Sequence, residues 1–511
     1  MKKTEQYLYN QNIDKNSDFA MWMAFPGIYS FSMSSLGYLW MFKTIDSKTD
    51  VNIERICSDT DKTKYNISDI KLFGFSFSFD TDFLTIFSML EKYKIPLKSK
   101  DRENFPLIFA GGPVVTANPE PYKEFFDFFI IGDGEDVNIQ AVNICKENQE
   151  KSKDEILKIL SNIDGIYVPE FPKKVNKLTK KLDECIYTPV LSEDAFFKNT
   201  FIIEMARGCF NRCGFCLASY LNLPLRCTPY DELIKTIDFG LKYTNKIALL
   251  GAQISAHPHF HDVCKYIYDK IQNGQKIEMS VSSLRVDAVS EDVIKTLVAA
   301  GQKNSTLAIE AGSERLRKVI NKNLTEEQIF NAVKIAKENG LKGLKFYGMI
   351  GLPTETQQDL EATIELAKKL KKENKGFDIS FGFSSFVPKP HTPFQWCGRE
   401  NTKSLEEKSA FLKKELHKIG VTCHISSIKW DYWQAVLSRG DESLNDFILE
   451  VYRGGGKLGA FKAAAKKYKI NTDNFACENY PLDKELPWDF IQVKPGKEFL
   501  IKENQRLLSI T

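Results

Sequence analysis

Ordered patterning starts near residue 19, where short apolar runs alternate with stretches of helical spacing. The runs are Trp22–Pro26, Val51–Cys57, Leu72–Phe79, Leu107–Gly112 and Phe125–Glu135. Continuous apolar strands between helices predict a parallel sheet covered on both faces. A Rossmann-like domain over residues 1–165 follows. Residues 166–196 contain PKKVNKLTKKLDE and read as a polar, basic linker. From Phe201 the rhythm resumes with six predicted strands: Phe201–Met205, Ile247–Gly251, Ile277–Val281, Leu307–Glu310, Gly343–Ile350 and Ile379–Phe386. Each gap is long enough for a crossover helix. One helix is signalled by Thr325 and Gln328 as a capping box, by Ile329, Ala332, Val333 and Ala336 on one face, and by Gly340 as a stop. A second capping pair, Thr354 and Gln357, is predicted to open the helix carrying Leu360, Ile364 and Ala367. Six βα units predict a partial (β/α)6 barrel over residues 197–398, with chemistry at the carboxyl ends of its strands. Residues 399–511 read as a mainly helical C-terminal region, so the fold class is α/β.

Composition narrows this reading. The chain has 511 residues, 43% hydrophobic and 27% charged, which excludes a disordered or collagen-like chain. A formal charge of +3 gives no global drive towards nucleic acid or a membrane surface. No apolar run approaches the ~20 residues of a spanning helix. The first twenty residues lack the apolar core of a secretory signal, so a cytoplasmic location and no membrane partner are expected. Eight of the 11 cysteines are scattered: Cys57, Cys145, Cys185, Cys227, Cys264, Cys397, Cys423 and Cys477. That pattern fits a reducing compartment rather than a disulfide framework.

The other three, Cys209, Cys213 and Cys216, have C-x3-C-x2-C spacing directly after the first barrel strand. Thiolates ligate iron–sulfur clusters, usually four to a [4Fe–4S] cube. Three on one loop leave one iron open, the mark of a site that binds substrate. Gly208 and Gly214 would let the loop wrap closely. The competing reading, a zinc knuckle, lacks a suitably spaced fourth Cys or His.

With Phe215 supplying the aromatic, this loop resembles the signature of the radical SAM superfamily. The resemblance implies a [4Fe–4S] cluster whose open iron chelates S-adenosylmethionine (SAM), with reductive cleavage to a 5′-deoxyadenosyl radical. Further SAM contacts are implied in order along the chain. Gly251 and Gln253, in GAQ, stand where the superfamily has Gly-Gly-Glu for the methionine amino group. The neutral Gln accepts a hydrogen bond without charge assistance. Glu310 and Ser313 match positions contacting the ribose and the methionine carboxylate. GMIGLPTET matches the adenine side, with Ile350 packing on adenine and Gly351 permitting close approach.

More narrowly, AFPGIYSFSMSSLG, FAGGPVVTANPEP, FIIGDGED, VPKPHTPFQW and ELPWDFIQVKPGKEFL resemble a bacterial family of radical SAM proteins with an N-terminal B12-binding-like domain. That match runs from about Phe19 to Arg506 and does not fix a reaction. Ser76, Ser78, Gly111 and Gly112 sit where B12 domains carry S-x-L and G-G, which raises cobalamin as a third cofactor. All six histidines (257, 259, 261, 391, 417 and 424) lie after residue 256. Cobalamin would therefore bind without a histidine from the first domain, unless that domain is a vestigial scaffold.

The expected function is a radical SAM enzyme modifying an unidentified substrate, by methylation if cobalamin binds. A flavodoxin- or ferredoxin-type reductant would be its partner. One alternative is a methylthiotransferase-like modifier of RNA or protein, although Cys57, Cys145 and Cys185 do not match that group's second cluster. Another is a non-catalytic iron–sulfur or RNA-binding protein. His257, His259 and His261 read as substrate handling or as a helix-start loop, and Cys397 as a residue that could face the site. Arg453, Lys457, Lys462, Lys466, Lys467 and Lys469 read as an RNA footprint or as a solvated helix face.

Overall fold

The computed structural model describes residues 4–11, 15 and 17–510. The first two lysines of the chain lie outside them. The expected apolar runs form a six-stranded sheet: β1 (Ala20–Phe25), β2 (Asn52–Cys57), β3 (Ile70–Ser76), β4 (Leu107–Gly111), β5 (Phe128–Ile130) and β6 (Ile166–Tyr167). The strand order is β2-β1-β3-β4-β5-β6, parallel except for β6. Its central strands are buried on both faces, as continuous apolar runs require.

Residues 166–196, read as a linker, are tied into the fold at several points. β6 extends the first sheet, Val175–Asn176 pairs with Ile491–Gln492, and Val190–Ser192 pairs with Glu5–Tyr7. Basic side chains made this stretch look unstructured, but these bonds are made by its backbone.

The second unit contains two four-stranded sheets. The first holds β7 (Phe201–Arg207), β8 (Arg226–Cys227), β9 (Lys246–Gly251) and β10 (Glu278–Val281), in the order β8-β7-β9-β10. The second holds β11 (Asn304–Glu310), β12 (Gly343–Ile350), β13 (Asp378–Ser385) and β14 (Thr422–Ile425), in chain order. A single parallel bridge, Leu284 to Leu307, joins them, and the arc does not close into a barrel. The strand β14 was not expected; its four residues carry no continuous apolar run.

On the β11–β14 sheet helices cover one face, whereas on β7 the opposite face is covered as well, Ile202 packing with Leu36 and Trp40 of the helix Leu36–Lys48. Along β11 and β12 the buried positions Leu307, Ile309, Leu344, Phe346 and Ile350 share one core with residues of α1 (Glu326–Glu338), α2 (Gln357–Glu373) and α3 (Thr402–Lys418). The alternate positions are partly or fully exposed. Parallel sheets are normally covered on both sides, so this uncovered face is a departure that a binding site would explain.

Helix α1 has the expected Thr325–Gln328 capping box. The cap of α2 is corrected: Thr356 pairs with Asp359, at 2.8 Å, and Thr354 lies outside the helix with positive φ. Asp359 also pairs with Arg315, at 2.5 Å, which favours the later start.

The C-terminal region is mainly helical and packs against the first domain. Trp433, Phe447 and Phe461 join Phe83, Phe87 and Phe125 in one core. His391, in VPKPHTPFQW, links three regions. Its Nε2–H donates to the Ala117 carbonyl at 3.0 Å, and its backbone N–H donates to Gln395 Oε1 at 2.8 Å. Trp488 Nε1 donates to the same Gln395 oxygen at 2.7 Å.

Burial lowers the His391 pKa to about 4, against opposing contributions from the Ala117 carbonyl and Asp489. The folded state therefore holds the ring neutral while the unfolded chain protonates near 6.5. Stability from this group is complete above pH 6.5 and is lost as pH falls from 6.5 to about 4. We expect a slope of about 1.4 kcal/mol per pH unit in that window. Urea unfolding across pH 4 to 7 should show this slope reduced in His391→Gln; an unchanged slope would exclude His391 as its source.

Candidate active site

The cysteine loop begins where β7 ends. Gly208 has φ +89, and a Cβ there would lie 2.3 Å from the Asn222 carbonyl oxygen, so the turn requires glycine. Cys209 and Cys213 are buried and Cys216 is half-buried. Other segments hold the loop. Asn321 Nδ2 donates to the carbonyls of Asn211 and Arg212, both at 3.0 Å, and Tyr220 Oη donates to Arg212 O at 2.8 Å. Gly214 N–H donates to Ile320 O at 3.0 Å, and its carbonyl accepts from Phe394 N–H at 3.1 Å. A Cβ on Gly214 would lie 2.8 Å from Phe394 Cζ and 2.9 Å from Leu507 Cδ1. The C-terminal helix Lys497–Leu508 thus packs directly on the loop.

The thiols are near enough to interact, Cys216 with both Cys209 and Cys213, although among the described residues no three His, Cys, Asp or Glu side chains form a preassembled metal-holding group. Burial pushes the Cys213 thiol up to about 12, partly opposed by Lys322, and also raises Cys216.

The loop after β9 meets the first cysteine. Cys209 Sγ–H donates to Gln253 Oε1 at 3.1 Å, and Asn211 Nδ2 reaches the same oxygen. Gly251 lies tight against β7, where a Cβ would sit 2.8 Å from Ala206 O. At the end of β11, Glu310 has φ +67 and pairs with buried Lys322 at 3.1 Å. Ser313 is more fully engaged than its expected role requires. It accepts from Leu316 N–H at 3.1 Å as a helix cap and donates to Asp359.

Ile350 corrects an expectation. Its side chain is fully buried on the helix side of β12, so it does not present a surface to adenine. Strand alternation places Lys345, Tyr347 and Met349 on the open face instead. Gly351 has φ +72, and its N–H donates to Glu355 Oε1 at 2.8 Å. The histidine group serves local structure. His257 Nδ1 accepts from His259 N–H at 3.1 Å, so its Nε2–H donates to Thr228 O at 2.8 Å. His259 pairs with Asp262 at 2.8 Å. Cys397 is buried beside Asn504, and burial pushes its thiol up to about 11. The six basic residues between 453 and 469 are exposed on two helices and the segments beside them, and Lys467 pairs with Glu450.

A cavity of about 540 Å³ opens at the carboxyl ends of β3 and β4. Ser76, Ser78, Gly111 and Gly112 all line it. Its opposite wall includes Glu204, Arg207 and Leu250 from β7 and β9, and no histidine borders it. Gly112 is required by the backbone: φ is +125 and a Cβ would lie 2.5 Å from Phe77 O. Gly111 is not so restricted, since a Cβ there meets Ile130 Cβ at 3.6 Å.

Arg207, which the sequence reading passed over, joins the two walls. It pairs with Asp133 at 3.0 Å, Glu135 at 2.9 Å and Glu204 at 2.8 Å. Arg226 also pairs with Asp133. Burial alone would lower the Arg207 pKa, but the three carboxylates outweigh it and hold the guanidinium charged. Burial would raise Asp133, but Arg207 and Arg226 hold it below its usual range. The available signal was acidic residues in FIIGDGED together with Arg directly before Gly-Cys.

A family model described as "Radical SAM superfamily" matches residues 203–367, and one described as "Radical SAM proteins, N-terminal" matches residues 40–169. An uncharacterized protein of Methanocaldococcus jannaschii is 35% identical over 383 residues, covering 73% of this chain and 80% of that one. The chain belongs to the radical SAM superfamily. It is an enzyme of the class that uses a [4Fe–4S] cluster, SAM and an external reductant. A relative described as an uncharacterized methyltransferase of Pyrococcus horikoshii is 27% identical, covering 59% of this chain and 67% of that one. A tRNA-2-methylthio-N(6)-dimethylallyladenosine synthase of Carboxydothermus hydrogenoformans is 22% identical, covering 48% and 59%. In fold, the chain is similar to the radical SAM methyltransferase TsrM of Kitasatospora setae (TM-score 0.52, 11% identity, 72% and 73% covered). It is also similar to the cobalamin-dependent radical enzyme OxsB (TM-score 0.51, 12% identity, 96% and 79% covered). No helix among the described residues is long and apolar enough to cross a membrane.

Removing Arg207 would leave buried Glu135 and partly buried Glu204 without their cation, and Asp133 with Arg226 alone. Breaking a buried pair of this kind costs on the order of 3–5 kcal/mol. Arg207→Ala should lower the urea midpoint accordingly, with Arg207→Lys recovering part of the loss. A midpoint unchanged in Arg207→Ala would show that the network contributes nothing to stability.

Proposed function

We propose that this radical SAM enzyme binds cobalamin in the 540 Å³ cavity and methylates a carbon of its substrate. The supporting observation is the cavity itself, whose far wall is formed by the strands that carry the cysteine loop and GAQ. The lining suits a corrinoid. Glu135 is buried and its Oε2 has no hydrogen-bond partner in the protein, an arrangement that favours a ligand bearing N–H donors. The carboxamide-rich rim of a corrin supplies them. Gly74 leaves room for the Phe109 ring, giving an apolar floor beneath Ser76 and Gly111. With no histidine in the lining, the cobalt would go without a protein imidazole from this domain. When bound, the cofactors supply a 5′-deoxyadenosyl radical and a transferable methyl group.

The chain's own residues hold and orient these groups. Cys209, Cys213 and Cys216 provide the three thiolates. Gln253 Oε1, already beside Cys209, accepts from the amino group of SAM, and the backbone at Gly251 and Gly351 permits close approach. Glu310 takes the ribose side, and Ser313 positions the following turn through its cap and its bond to Asp359. A flavodoxin- or ferredoxin-type donor delivers the electron.

A second reading, RNA methylthiolation, is favoured by the relatives that are tRNA synthases of this type. Against it, Cys57 and Cys145 lie in the first-domain core and Cys185 in the core of the second unit, so they do not form a second cluster site.

Anaerobic reconstitution with SAM and dithionite should release 5′-deoxyadenosine, and each Cys→Ala variant at 209, 213 or 216 should abolish it. Full iron and cleavage in Cys213→Ala would overturn the cluster assignment. Protein produced with excess cobalamin should show corrinoid absorbance that falls in Gly111→Val and Glu135→Gln while circular dichroism stays unchanged. Absence of corrinoid from the wild type would refute the cavity assignment.

A further inference from the structure

The open face of β12 carries an aromatic ring that is only partly covered. Tyr347 is 42% exposed although it lies mid-strand in a parallel sheet. Its cross-strand partners explain the exposure. Ala308 on β11 and Gly382 on β13 pair directly with it and are too small to shield the ring. Lys345, two residues earlier on the same face, places its ammonium 5.1 Å from the ring centroid. Among the described residues no carboxylate pairs with that ammonium. Gly382 makes the space for both groups: a Cβ there would lie 2.9 Å from Lys345 Cε and 3.4 Å from Tyr347 Cδ1.

This pair stands close to the chemistry. Met349, the next residue along the same face, packs in the apolar group that also holds Phe215 of the cysteine loop. Two residues of strand span about 7 Å, so Tyr347 lies one strand repeat from a residue that packs in the same apolar group as the loop. An exposed ring beside an unpaired cation is complementary to a ligand that brings both a flat π-face and a negative charge.

We propose that Tyr347 and Lys345 seat the substrate, and that the substrate is a planar aromatic group bearing a carboxylate or phosphate. This specifies the substrate class for the proposed radical chemistry and rests on that reading only for what happens after binding. The ring stacks on Tyr347, the anion pairs with Lys345, and Gly382 keeps the approach clear. An aromatic carboxylate and a nucleotide share this chemistry, and the probes separate them.

The test uses the reconstituted, SAM-loaded enzyme under anaerobic conditions, with calorimetric titration of indole-3-acetate and of adenosine 5′-monophosphate. Their uncharged counterparts, indole and adenosine, serve as comparisons. We expect one anion to bind saturably and its neutral counterpart about ten-fold more weakly, the size of a cation–π or ion-pair contribution. Lys345→Met should abolish that difference. Tyr347→Ala and Gly382→Val should each weaken binding about ten-fold, with Tyr347→Phe restoring most of it. No binding of either anion, equal binding of anion and neutral ring, or wild-type binding by Tyr347→Ala would overturn the seat. Iron content and SAM cleavage are read on the same wild-type preparation. Cleavage without anion binding rejects this seat alone, whereas loss of iron and cleavage rejects the proposed function.

Discussion

One guanidinium sets the relation between the two halves of the molecule. Arg207 ends β7 directly before Gly208 and Cys209, and its three carboxylate partners come from both units. A partly buried cation held by three anions has little freedom to shift, because each displacement leaves charge unpaired in a largely desolvated site. The start of the cysteine loop is therefore fixed relative to the loop after β5, which borders the cavity. The same network leaves Glu135 with one oxygen occupied by Arg207 and the other without a protein partner. The clamp thus fixes the position of the loop and leaves an acceptor in the cavity lining.

The C-terminal region completes what neither unit closes alone. The first sheet leaves one helical face apolar, and Trp433, Phe447 and Phe461 cover it. Leu507 of the last helix packs on Gly214, so the cysteine loop is held from the far end of the chain. Gln395 accepts from both His391 and Trp488, tying that region to the segment after β13. Burying aromatic side chains contributes about 1.5–3 kcal/mol each. Such packing offsets what the arc forgoes by leaving part of its inner face uncovered.

Much of this was legible in the sequence because it rests on local signals. The strands of both units, the Thr325 cap and the cysteine loop follow from apolar runs, capping pairs and spacing. The strand β14 and the pairings within 166–196 were not legible, since short strands among polar residues depend on distant backbone partners. The Arg207 network was missed because charge pairing between residues 133, 135 and 207 leaves no periodic trace. Ile350 shows a different limit. Motif matching placed it on adenine, while the alternation of β12 already assigned it to the helix face with Leu344 and Phe346. Where a motif and a strand's period disagree about direction, the period decides, because a one-residue shift would bury Lys345 and Tyr347 and expose Phe346.

The period also explains how two binding regions come to lie on one side of the arc. Leu250 lies on the uncovered face of β9, is 41% exposed, and lines the cavity. Tyr347 lies on the uncovered face of β12 in the same arc. Leu250 and Tyr347 thus lie on the same side of the arc, each alternating with residues that face the helices. The cysteine loop stands at the carboxyl end of β7, held by Asn321, Tyr220 and Phe394. On β11 and β13 the residues beside Tyr347, Ala308, Ser380, Gly382 and Ser384, are small or polar, and this keeps that stretch of the face open where no helix packs on it.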